Sequence, residues 1–393
     1  MNKNDFPILK GIHYLDNAAT TQKPNTVIES ITEFYKAANA NTHRGLYKLA
    51  EKATEEHENA RITLAKFVNA LPEEIIFTRN ATESFNILAR SLESKIKPGN
   101  KLISTEVEHH ANFIPWQQLA KRKGAEFIVA KYNPKTHMLE SISDLVDEKT
   151  KIIAFTQMSN VSGLIIDVKK EISEIRKKNS DAIIIIDAAQ SIPHMKIDVK
   201  DLDADFLCFS THKLYGPTGV GVIYGKKELL EKMEPSVFGG HMIDTVRIKD
   251  STWGKIPDKF EAGTANSAGI VASAKAVEYL EKNNLSELFK KEEELKKYLV
   301  KKLIEEDVEI IGHNSEHYGP VVSFTIKGVH PHDIATIADK YNVCLRAGHH
   351  CAQPFMAKLG ITATARASIS FYNEKEDVDA LIESIKYAKK ILR

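Results

Sequence analysis

Ile183-Ile184-Ile185-Ile186-Asp187-Ala188-Ala189-Gln190 and Phe206-Leu207-Cys208-Phe209-Ser210-Thr211-His212-Lys213 decide the fold, because each is a short apolar run that turns polar at its carboxyl end. Such runs read as strands buried on both faces. Others follow the same pattern from Glu74 to about Tyr224: Ile75 to Thr78, Lys101 to Ser104, Glu126 to Ala130, Lys151 to Thr156 and Gly221 to Tyr224. Between them, Ser84 to Leu92 and Ile114 to Lys123 place apolar residues at helical spacing. The alternation predicts an α/β fold with a mainly parallel sheet flanked by helices. After Ala268 the texture becomes helix rich in lysine and glutamate, and Val321 to Ile326 and Ala367 to Phe371 read as strands of a second, smaller α+β domain. There is no internal repeat and no low-complexity linker, so a helix is expected at the border near Ala268.

Open α/β sheets bind ligands at the carboxyl ends of their strands. Two strands here deliver ionisable groups there: Asp187 and Gln190 from one, and Ser210, His212 and Lys213 from the other. A lysine can form a Schiff base with an aldehyde, and a nearby carboxylate can keep a ring nitrogen protonated. Pyridoxal 5'-phosphate (PLP) chemistry requires that pairing. Taken singly, Lys213 reads as a surface lysine and Asp187 as a helix N-cap; together with their neighbours they point to the cofactor. Gln190 suits the cofactor's phenolate oxygen.

A chain of 393 residues, 42% of them hydrophobic, supports a large core and more than one domain. The net charge of +1 gives no global field to attract nucleic acid or an anionic membrane, which leaves small molecules and specific proteins as partners. Cys208, Cys344 and Cys351 form neither a disulfide framework nor a zinc-site spacing. No metal is expected. Met1-Asn2-Lys3-Asn4-Asp5-Phe6-Pro7 has no apolar signal core and no later stretch approaches a membrane span, so a soluble cytoplasmic protein is expected.

Three further stretches suit the same chemistry. Asn80-Ala81-Thr82-Glu83 follows a strand and opens a helix, which makes it either a phosphate site or an ordinary capped start, and Gly263-Thr264-Ala265-Asn266 is a second phosphate candidate. In Glu108-His109-His110-Ala111-Asn112 one imidazole can stack on a cofactor ring. Arg346-Ala347-Gly348-His349-His350-Cys351 sets a thiol among cations in a polar loop, an environment that favours a thiolate nucleophile.

In their order, these stretches resemble PLP fold type I enzymes of aminotransferase class V, and specifically the group II, SUF-type cysteine desulfurases. The resemblance runs from Tyr14-Leu15-Asp16-Asn17-Ala18-Ala19-Thr20 through Thr42-His43-Arg44-Gly45 to Arg366-Ala367-Ser368 and Phe371-Tyr372-Asn373. It implies a seven-stranded sheet and three segments: 1–20 packing with the small domain, 21–267 as the large PLP-binding domain, and 268–393 as the small domain with the catalytic cysteine loop. Lys213 would hold PLP, Asp187 its ring nitrogen, Gln190 its phenolate oxygen and His109 its ring face. Thr82, Ser210 and His212 would bind phosphate, with Thr264 supplied by the other subunit of a homodimer. Asn160 and Arg366 would hold the substrate amino acid, with Arg346 near the mouth. Ala81 and Ala265 depart from the commoner threonine and proline, and neither change removes a catalytic group. The implied reaction converts L-cysteine to L-alanine, leaving a persulfide on Cys351 for a sulfur-acceptor protein of iron–sulfur cluster assembly. The rival readings are a selenocysteine lyase acting on L-selenocysteine, a class V aminotransferase or kynureninase-like lyase with no need of Cys351, and a non-catalytic scaffold.

Overall fold

The two apolar runs become neighbouring parallel strands, Ile183–Asp187 and Phe206–Ser210, with Asp187 beside Cys208 in register. In this computed structural model, which describes residues 3–43, 45–312 and 317–392, they form the middle of a seven-stranded sheet. Met1, Asn2 and the Arg44 of the Thr42–Gly45 stretch lie outside the described residues. The strand order is Ile75–Thr78, Gly221–Gly225, Phe206–Ser210, Ile183–Asp187, Thr150–Thr156, Lys101–Thr105 and Glu126–Ala130. All pairings are parallel except those of Gly221–Gly225, which runs antiparallel to both neighbours.

Side chains alternate across this sheet, so both faces need cover. Ile184, Ile186, Leu207, Phe209 and Val222 join one core. Ile183, Ile185, Phe206, Cys208 and Ile223 join a second core on the opposite face, with Phe85 and Leu88 of helix Ala81–Ser91 and Trp116 and Leu119 of helix Ile114–Lys123. Helices Asn25–Ala37, Lys48–Phe67, Val168–Lys178 and Ser267–Lys282 contribute to the first core. Gly221 is glycine for a local reason: a Cβ there would lie 2.5 Å from the Asn80 carbonyl carbon and from Thr78 Oγ1. Its strand can therefore slide beneath the turn that opens helix Ala81–Ser91.

A second, antiparallel sheet has the order Glu309–Ile310, Val321–Thr325, Thr364–Ser368 and Arg346–Gly348. Helices Leu285–Glu305, Pro331–Asp339 and Lys375–Leu392 bury apolar residues in its core. The strand expected at Ala367 to Phe371 instead spans Thr364–Ser368. The following residues leave the ladder because Asn373 captures the turn, accepting from the Ser370 N–H on its side chain and donating its own N–H to the Ser370 carbonyl, both at 2.9 Å. An early segment docks beside this sheet: His13–Tyr14 pairs in parallel with Val343–Cys344 as a separate two-stranded sheet, and the Ala18 N–H donates to Ser368 Oγ of the four-stranded one at 2.8 Å. Among the described residues no helix is long and apolar enough to cross a membrane.

Candidate active site

A cavity of about 250 Å³ opens at the carboxyl ends of the central strands. Lys213, Asp187, Gln190, His109, Thr82, Ser210, His212, Asn160, Arg346 and Arg366 all line it, so the sequence candidates other than Thr264 and Cys351 converge on one space.

Lys213 reaches it because the strand Phe206–Ser210 runs straight into a single helical turn, Thr211–Lys213, closed by the Leu214 N–H donating to the Thr211 carbonyl at 2.8 Å. No hydrogen bond or ion pair holds its ammonium among the described residues. Burial, together with the Arg366 and Arg346 cations and against the attraction of Asp187, pushes Lys213 down to about 8. Asp187 is 4% exposed, and burial raises its carboxyl above the usual range, opposed by the Ala189 N–H and by Lys213. Its Oδ1 accepts that N–H at 2.8 Å, but the next residues form turns, so the N-cap reading fails. Gln190 is anchored by Nε2 donating to the Ala18 carbonyl at 2.8 Å.

Asn80 caps helix Ala81–Ser91 by accepting the Glu83 N–H, and the Ala81 N–H donates to Ser210 Oγ at 2.8 Å. The helix mouth and the Ser210 hydroxyl are thus joined where Thr82 stands exposed. Two imidazoles face this space in neutral form. Burial and then Lys213 push His109 down to about 3, and burial, Lys213 and Lys23 push His212 down to about 4. His109 Nδ1 accepts the Ala111 N–H at 3.1 Å, which leaves its proton on Nε2.

Arg366 is wholly buried. Cross-strand pairing sets it beside Arg346, and it donates from Nη2 to Asp16 Oδ1 and from Nη1 to the Asn160 carbonyl, both at 2.9 Å. Burial pulls its guanidinium below the ordinary arginine range, against the pull of Asp16. Among the described residues, Arg366 Nε and Asn160 Oδ1 are buried without partners. Two unmet groups of opposite polarity on one wall are a ready seat for a small polar ligand.

Cys351 lies outside the cavity, in a groove of about 800 Å³ that shares Thr82, His109 and Ala111 with it. Arg346 spans the two spaces and donates from Nη2 to Cys351 Sγ at 3.5 Å. His350 and Cys351 adopt φ of +51° and +56°, costly for side-chain-bearing residues. The turn is held by the His110 N–H donating to the Cys351 carbonyl at 2.7 Å, by the Gln353 N–H donating to His110 Nε2 at 3.1 Å, and by His350 Nε2 lying 2.8 Å from Thr364 Oγ1. Burial pushes the Cys208 and Cys344 thiols up, leaving them poor nucleophiles.

Thr264 is exposed and lines a separate surface pocket with His43, His57 and His241. Among the described residues, His43, His57 and Glu58 bring potential metal-ligand atoms within 4.8 Å of one another. The Arg61 guanidinium already sits there, with Nη2 3.3 Å from His57 Nε2 and Nε 3.0 Å from Glu58. Sequence reading missed Asp16, the ion-pair partner of Arg366, and Glu108, a buried carboxyl that burial and Asp187 raise above the usual range against the pull of the Thr105, Thr156 and Asn112 donors. Glu108 had one available signal, an acid directly before the paired histidines.

The family model for aminotransferase class V matches residues 13–381. The chain belongs to that family. A probable cysteine desulfurase of Staphylococcus epidermidis is 47% identical, over 98% of this chain and 95% of that protein, and one of Staphylococcus aureus is 46% identical over the same shares. Among solved structures, the apo cysteine desulfurase of Thermococcus onnurineus superposes with a TM-score of 0.95 at 36% identity, covering 99% of this chain and 98% of that one. The cysteine desulfurase CsdA of Escherichia coli gives 0.92 at 36% identity, covering 100% and 98%. The family's fold, PLP fold type I, is therefore the fold of this chain.

Proposed function

We propose that this chain is a PLP-dependent cysteine desulfurase of the group II type that moves sulfur from L-cysteine to Cys351. One observation carries the reading: an uncommitted lysine and a buried aspartate share a cavity whose wall also borders the groove of Cys351, with Arg346 reaching across. The relatives named cysteine desulfurases support the same conclusion.

The residues present fit PLP. Lys213 has no competing partner among the described residues and matches the aldehyde. Asp187 commits only Oδ1 to a backbone N–H and can face a ring nitrogen. Neutral His109 offers a flat face, and Thr82, Ser210, His212 and the helix mouth offer phosphate donors, with Thr264 contributed from the second subunit of a homodimer. When bound, PLP supplies an electron sink that acidifies the substrate's α-proton and opens its sulfur to attack.

The chain's own groups do the rest. Lys213, at about 8, is partly neutral near neutral pH and takes the α-proton. Arg366 and Asn160, each with an unmet polar atom, hold the amino acid, with Arg366 clamping its carboxylate. Arg346 steadies the Cys351 sulfur, which attacks the substrate's sulfur: an S–S bond forms, the C–S bond breaks with its electron pair left on the carbon side, Cβ and then Cα take up protons, and L-alanine leaves.

The persulfide then passes to a sulfur-acceptor protein of iron–sulfur cluster assembly in the cytoplasm. The division into 1–20, 21–267 and 268–393 belongs to this proposal, supported by the pairing of His13–Tyr14 with Val343–Cys344. Incubation with L-cysteine and a reductant, measuring sulfide and alanine together, tests the reading. Equal amounts support it, whereas pyruvate and ammonia in place of alanine refute it.

A further inference from the structure

We propose that Glu108 is a positioning residue whose carboxyl locks one turn that serves both halves of the site, the His109 ring in the cavity and the Cys351 loop in the groove. The inference rests on the proposed function. Glu108 is 1% exposed and collects three hydrogen bonds: Oε1 accepts from Thr105 Oγ1 at 2.6 Å and from the Thr156 N–H at 2.8 Å, and Oε2 accepts from Asn112 Nδ2 at 2.7 Å. Thr105 closes the strand before the turn, Asn112 closes the turn, and Thr156 ends the neighbouring strand. Between these anchors stand His109, on the cavity wall, and His110, which donates its N–H to the Cys351 carbonyl and accepts the Gln353 N–H on its ring.

The network has one polarity. Thr105 Oγ1 accepts the Val107 N–H at 3.3 Å, which directs its own proton toward Glu108. Asn112 Oδ1 accepts from Trp116 Nε1 at 2.9 Å, which turns its amide nitrogen toward Glu108. A glutamine at 108 would meet a donor in every arrangement. Its amide nitrogen faces either the Thr156 N–H, which cannot reverse, or the Asn112 nitrogen. Flipping Asn112 only moves the collision to Trp116. The double variant E108Q/N112D removes it, because the carboxylate introduced at position 112 accepts both from the new amide and from Trp116.

The test uses the full chain. In Glu108→Gln the visible circular dichroism per bound PLP is expected to fall at least about twofold, and Cys351 alkylation by iodoacetamide in the apoprotein to quicken at least about threefold, thresholds below the roughly fivefold or more that one buried unmet donor is worth. The E108Q/N112D variant is expected to recover most of both changes. A single variant that matches wild type in both readouts, or a double variant no better than the single, overturns the proposal. If Glu108→Gln does not fold, Thr105→Val removes one donor to the same carboxyl and is expected to lower the dichroism; no change overturns the role of Glu108. Wild-type protein that binds no PLP would instead refute the proposed function, so the two failures are distinguishable.

Discussion

Replacing Lys213 with methionine is expected to stabilise the apoprotein, because the native state holds this amine at a cost that the unfolded chain does not meet. Its pKa falls from the ordinary 10.5 to about 8, chiefly through burial. At 1.36 kcal/mol per pKa unit this is worth about 3 kcal/mol, and water entering the cavity leaves about half of it or more. The sign follows from proton binding. Well above pH 10.5 both states are neutral at this position and the lysine costs nothing. As pH falls from 10.5 toward 8 the unfolded chain binds a proton that the native protein does not, so stability is lost across that window and the loss is constant below it. At pH 10.5 the remaining difference is under about 0.5 kcal/mol. For 393 residues, an unfolding entropy of about 0.8 kcal/mol/K converts the pH 7 gain into a rise in Tm of about 2 to 4 °C. Scanning calorimetry of wild-type and Lys213→Met apoprotein, at matched concentration, reads this at pH 7 and at pH 10.5. A variant that melts no higher than wild type at pH 7, or whose advantage is the same at both pH values, would refute the reasoning.

Asp187→Ala is expected to retain PLP but lose at least about tenfold in desulfuration rate, or ~1.4 kcal/mol of barrier; a smaller loss in a coupled alanine assay removes its role at the ring nitrogen. Cys351→Ala is expected to keep the bound cofactor's absorbance and to bind L-cysteine, yet to lose sulfide release while retaining more activity on L-selenocysteine. Mass spectrometry of wild type after brief exposure to L-cysteine should find one added sulfur on the Cys351 peptide, and sulfur on Cys344 or Cys208 instead would contradict this. Light scattering should report a homodimer, since Thr264 stands exposed and away from its own chain's cavity; a fully active monomer would exclude its phosphate role.

Much of this is legible in the sequence. A parallel strand buried on both faces must be an unbroken apolar run, so its end is marked by the first polar residue, and Asp187, Ser210 and Lys213 declare themselves that way. The sheet inherits its position from the same runs, which is why Ile75–Thr78 and Glu126–Ala130 end where the hydrophobicity does. The Cys351 loop stood out because a thiol among arginine and histidine has no place in a core.

Tertiary structure alone decided the rest, since those contacts join residues that no local pattern relates. Asp16 and Arg366 meet across 350 positions, so neither the unmet Arg366 Nε nor its partner can be read from spacing. The strand expected to start at Ala367 starts at Thr364 because pairing with Val321–Thr325 and Arg346–Gly348, and the Asn373 turn, set its register. The separation of a cavity for Lys213 from a groove for Cys351 is likewise spatial: it depends on Thr82, His109 and Ala111 standing between them, and on the strained turn that His110 holds in place. Sequence determines which groups sit at the ends of strands, through hydrophobicity that each strand carries by itself. Folding decides which of them share a space, through long-range packing and hydrogen bonds, such as that from Arg366 to the Asn160 carbonyl, which exist only in the folded chain.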